Sequence, residues 1–249
     1  MTQDMTTGNP VKLILFFSIP LLIGNIFQQF YSMVDTIIVG RFVGVEALAA
    51  VGSTGAMVFL VNGFVIGLTA GFAILISQRF GAKDHLGMKK ATGSAITLSI
   101  ISVLIITIIS ILSAKPVLRL MNTPDNIMVD ASKYIIIMYA GTFATFIYNM
   151  LASMLRALGD SKTPLYFLII SSILNIVLDL VFIINFNMGV AGAAYATVIS
   201  QGVSGLLCLI YTYKRHTILK LKKSEIGRAH VWTSVTSSNL VCRLLLEKK

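Results

Sequence analysis

Six long, mostly apolar stretches, at residues 11–39, 51–78, 91–114, 134–155, 164–184 and 190–213, limit what this chain can fold into. A helix needs about 20 such residues to cross the hydrocarbon of a bilayer. Lipid offers the backbone no hydrogen-bonding partner, so only helices and closed barrels span it. Barrel strands alternate in segments of about ten residues, whereas these runs are continuously apolar. The expected fold is therefore an all-α integral membrane protein with six transmembrane helices. With 56% hydrophobic and only 12% charged residues, and a mean hydropathy of +0.85, the chain needs membrane lipid as its solvent and partner.

The formal charge of +10 does not point to nucleic acid, because Lys and Arg fall in short connections between apolar runs and not on one soluble face. They report topology, since cytoplasmic loops retain Lys and Arg. A cytoplasmic N-terminus puts Lys12, Arg79, Lys83, Lys89, Lys90, Arg156, Lys162, Lys214, Arg215, Lys220, Lys222 and Lys223 inside. Only Arg41, Lys115, Arg119 and Lys133 then lie outside. Cys208 and Cys242 match no metal-ligand or disulfide framework, and no cofactor is expected. The first apolar run is too long for the core of a cleavable signal peptide.

The organisation read from these features is a cytoplasmic N-terminus (1–10), a six-helix unit (11–213), a basic cytoplasmic segment (214–223) and a tail (224–249). The tail loses the apolar periodicity. Its Glu225-Ile226-Gly227-Arg228-Ala229-His230-Val231 stretch resembles a translated sequencing adapter, so it is expected to be non-native or disordered.

Of ten acidic residues, only Asp35 and Asp179 fall inside the apolar spans. An ionised carboxylate at mid-bilayer costs about 2.5–3.5 kcal/mol on insertion scales, so such a residue faces a polar interior and marks function. Each lies six residues from the outer end of its span, about 9 Å deep. Thr197 reaches a similar depth on the sixth span. Asn175 shares a face with Asp179 at i and i+4, while Asn25, Gln28, Ser32 and Asp35 form a polar stripe along the first span. Carboxylate, amide and hydroxyl oxygens suit a hard cation such as Na+, and a desolvated carboxylate can take H+ instead. Pro20 should bend the first span below this stripe. The spacing of Gly63, Gly67 and Gly71 suggests close helix packing. In the connection from Leu155 to Pro164, Gly159 is expected to end one helix and Thr163-Pro164 to start the next.

Several motifs together resemble the multidrug and toxic compound extrusion (MATE) family, in its prokaryotic DNA-damage-inducible-like branch. They are Ser18-Ile19-Pro20, the segment Met33-Val34-Asp35-Thr36-Ile37-Ile38-Val39-Gly40, the loop from Arg156 to Pro164, Asn175-Ile176-Val177-Leu178-Asp179, and the segment from Gly189 to Thr197. The resemblance covers residues 10–223 and implies the N-terminal lobe of a two-lobe transporter in the prokaryotic plasma (inner) membrane. It implies export of a small-molecule substrate, an organic cation or drug, in exchange for Na+ or H+. Asp35, Asn175, Asp179 and Thr197 would bind the ion, Pro20 would bend the helix, and a C-terminal lobe would be the missing partner. A related lipid-linked oligosaccharide flippase would favour basic residues inside the membrane to meet phosphate; here the intramembrane charges are acidic. An intramembrane enzyme is disfavoured because His85, His216 and His230 all fall in loops or tail. An acidic-ring channel lacks a re-entrant filter segment.

Overall fold

The computed structural model describes residues 9–215, and the six-span expectation holds across them. The tail at 224–249 and most of the two flanking segments expected to be cytoplasmic, 1–10 and 214–223, lie outside the described residues. The helices are α1 (Pro10–Phe42), α2 (Val45–Gly81), α3 (His85–Leu120), α4 (Asp125–Ala140), α5 (Thr142–Ala157), α6 (Lys162–Leu180) and α7 (Gly189–Arg215). Five of them are long and apolar enough to cross a membrane, and the α4–α5 pair makes a sixth, bent span.

Several helices run beyond their apolar stretches, because hydropathy marks hydrocarbon depth whereas hydrogen bonding continues through the interface. Local chemistry sets the ends. Asn9 caps α1 by accepting from the Val11 amide at 3.0 Å, with Pro10 in the first turn. Asp84 caps α3 by accepting from the Gly87 amide at 2.8 Å. At the α5–α6 connection Gly159 takes the left-handed conformation (φ 82°), as expected from sequence. The buried Asp160 carboxylate then accepts from the Thr163 amide at 3.0 Å and hydroxyl at 2.7 Å, fixing the start of α6.

α7 is the central post, packed on α4, α5 and α6, while α2 packs on α3, α4 and α5. α1 stands at the edge and leans mainly on α6. Pro20 is buried on this contact face, and α1 passes through it as one helix. The core joins these layers through Ile38, Val39, Ala47, Tyr134, Ile183 and Ala193.

The fourth span differs from the single run expected. α4 and α5 meet at Gly141 with a bend of 43°. A methyl group on Gly141 would overlap the Val198 isopropyl group of α7, so the missing side chain is what lets α7 enter the bend. The expected packing at Gly63, Gly67 and Gly71 is not made among the described residues. A Cβ at any of the three would meet nothing within 4 Å, because this face of α2 looks out of the lobe.

Two outcomes follow from these contacts. Gly141→Ala should lower stability by about 1–3 kcal/mol through overpacking, read as a lower unfolding temperature in detergent, and adding Val198→Ala should recover most of the loss. At the α2–α3 turn, the Gly87 amide, followed by Arg79 at 2.9 Å, holds the Asp84 carboxyl below the usual carboxylate range. Its stabilising contribution is present above the ordinary carboxylate pKa and is lost as pH falls through the lowered one. A carboxyl NMR titration should therefore place the Asp84 midpoint below that of free aspartate.

Candidate cation site

α1, α6 and α7 converge on one polar cluster inside the lobe. α6 supplies Asn175 and Asp179, one turn apart and 1% and 0% exposed. α1 supplies the half-buried Asp35, whose carboxyl is within hydrogen-bonding reach of Asp179. From α7, Thr197 Oγ1 accepts a hydrogen bond from Asn175 Nδ2 at 3.3 Å. The four residues chosen by depth and spacing are thus gathered where α6 is flanked by α1 and α7.

The cluster is short of donors. Both carboxyl oxygens of Asp179, Oδ1 of Asp35 and Oδ1 of Asn175 are buried and accept no hydrogen bond from any described residue. Carboxylates are acceptors only, so two of them in contact repel, and burial away from water makes that repulsion stronger. A buried polar atom without a partner costs about 1–3 kcal/mol, and more when charged. The arrangement calls for a positive charge or a proton between the carboxyls. Two carboxyls with neutral amide and hydroxyl oxygens nearby fit a hard monovalent cation.

Sequence reasoning missed three members of the surroundings. The Gln201 side chain of α7 lies beside the Tyr31 hydroxyl of α1. Tyr31 and the buried Tyr134 of α4 both feel the charges of Asp35 and Asp179. Helical spacing carried the signal for two of them, since Tyr31 lies one turn before Asp35 and Gln201 one turn after Thr197. Tyr134 belongs to a different span and is brought in only by packing. Asn25, Gln28 and Ser32 are exposed on α1, off its contact with α6. Immediately beyond the cluster, residues Val181–Asn185 form a π-helical turn, with the Phe186 amide donating to the Val181 carbonyl at 3.1 Å. Such turns often accompany functional sites.

The MatE family profile matches residues 20–181. The chain belongs to the MATE family. A probable multidrug resistance protein of Bacillus subtilis, YpnP, is 35% identical to it over 229 residues, covering 92% of this chain and 51% of the relative. Multidrug export protein MepA of Staphylococcus saprophyticus is 24% identical and covers 86% of this chain and 48% of its own. A solved multidrug resistance MATE family transporter of the MOP superfamily, in an outward-facing conformation, superposes with a TM-score of 0.82 at 32% identity. That match covers 88% of this chain and 49% of the solved one. The chain thus spans about half the length of the MATE relatives it matches, and its fold is one lobe of such a transporter.

If a Tyr31–Gln201 hydrogen bond holds α1 against α7, Tyr31→Phe should cost about 0.5–1.5 kcal/mol. Thermal unfolding with Gln201→Leu and the double variant should show coupling between the two sites; strictly additive losses would mean that the bond contributes nothing.

Proposed function

We propose that this chain is one lobe of a cation-coupled antiporter in which the Asp35–Asp179 pair, with Asn175 and Thr197, takes up Na+ or H+. The observation that carries this reading is the donor-poor cluster itself: four buried acceptor oxygens on α1 and α6, with two carboxyls in contact. Cation uptake relieves the repulsion between α1 and α6, and cation loss restores it. The energy of the coupling ion is thereby delivered to the junction between the edge helix α1 and α6, on which it leans.

α1 is the element suited to respond. It is held mostly by α6, and Pro20 removes one backbone hydrogen bond part-way along it. In this reading Pro20 is the bending point. Asn25, Gln28 and Ser32, exposed in this lobe, line the polar wall of a cavity that a second, C-terminal lobe completes. The names of the multidrug relatives support drugs as exported substrates, and the family resemblance adds organic cations. The Lys and Arg distribution supports a cytoplasmic N-terminus, and the bacterial relatives support insertion in the plasma (inner) membrane.

The test is calorimetry of the folded chain in detergent, titrating Na+ at several pH values for the wild type, Asp35→Asn and Asp179→Asn. Saturable Na+ binding or linked proton uptake, lost in both variants, is the expected result. At 100 times its Kd, the ion should stabilise the fold by about 2.7 kcal/mol. A folded wild type with neither Na+ binding nor linked proton uptake would leave the aspartates a structural role only.

A further inference from the structure

A small cavity with Thr197 in its wall opens at the break in the fourth span. Its wall includes Asn62 of α2, Tyr139 of α4, Thr142 and Thr145 of α5, and Thr197 and Val198 of α7. The centre of a water-sized sphere has about 10 Å³ to move in, close to the least space that holds one water molecule. A water also needs two to four polar partners, and four of these residues carry a side-chain oxygen or nitrogen suited to it: Asn62, Thr142, Thr145 and Thr197.

Several of these groups have hydrogen-bonding capacity to spare. Thr197 Oγ1 accepts from Asn175, so its own proton remains to be donated. Thr142 reaches the Met138 carbonyl only at a long 3.4 Å. The Asn62 amide and the Thr145 hydroxyl donate to no described residue. In a lobe surrounded by lipid such groups have few alternatives, and a single water bonded to three or four of them answers their needs together.

We propose that this cavity is a built site for one water molecule, which accepts the Thr197 proton and ties α7 to the Gly141 break through Thr142, Thr145 and Asn62. It makes these three residues positioning residues for the cation cluster, acting through Thr197 and then Asn175. The bend and the water belong together. Val198 fills the space that the missing Gly141 side chain leaves, and its neighbour Thr197 is thereby held at the cavity wall. A shift of α7 when the cluster changes occupancy is then felt at the bend of the fourth span, which α1 does not touch.

The water site stands on the cavity alone, whereas its influence on cation affinity rests on the coupling reading above. The test therefore has two readouts. The first is a structure of the chain in lipid, at a resolution that shows single waters, for the wild type and for Thr142→Val with Thr145→Val. One ordered peak within hydrogen-bonding distance of Thr197 and at least one of Thr142, Thr145 and Asn62, lost in the double variant, is the expected result. An empty cavity overturns the proposal. So does a peak with the short contacts and ion-dependent occupancy of a bound cation. The second readout is Na+ calorimetry of the same proteins, where the double variant should lose at least threefold in affinity and Thr142→Ser should keep the wild-type value. Unchanged affinity in a folded double variant overturns the positioning role. A wild type that shows the water but binds no cation upholds the site and overturns the coupling reading instead.

Discussion

Lipid accepts and donates no hydrogen bonds, and every other feature of this lobe depends on that constraint. It forces the backbone into helices, which satisfy their own amides and carbonyls. It also makes each polar side chain within a span answerable to another part of the protein. Several hydroxyls comply locally: Thr36, Ser53, Thr54, Thr69 and Ser172 each donate to a carbonyl three or four residues back on their own helix. The carboxyl oxygens of Asp35 and Asp179 have no such remedy, because they cannot donate. A protein that keeps two such groups in contact holds an electrostatic conflict in its interior, and relieving that conflict with a positive charge is the simplest use for it.

The architecture places that conflict where it can produce movement. α7 packs on three helices, whereas α1 leans mainly on one. The Asp35–Asp179 contact joins the loosely held helix to α6, and the Asn175–Thr197 bond joins α6 to the post. In the proposed coupling, charge therefore acts on the junction of the least-packed of these helices and is anchored on the side of the most-packed one. The π-helical turn directly after Asp179 and the close approach of Gly192 to Phe182 tie this end of α6 to the start of α7.

Much of this was legible in the residues. Two acidic side chains within apolar runs, each six residues from the outer end of its span, were enough to select Asp35 and Asp179, and helical spacing added Asn175. Thr197 followed from equal depth. Tyr134 was not legible, because nothing in the order of residues says that α4 brings it near the Asp35–Asp179 pair. Neither was the break at Gly141. A glycine in an apolar run reads as a packing residue, and only the Val198 side chain of a helix more than fifty residues later makes it a bend. Gly63, Gly67 and Gly71 show the opposite error: their spacing reads as a packed face, yet that face of α2 is open among the described residues.

The amino-acid sequence by itself determined the solvent, the number of crossings and the depth of each polar group, since these depend on hydrophobicity and a fixed rise per residue. Only the tertiary structure decided which polar groups meet, which helix is loosely held and where a span is broken. Those outcomes depend on how the helices rotate about their axes and pack, and hydropathy within a single span carries no information about its neighbour.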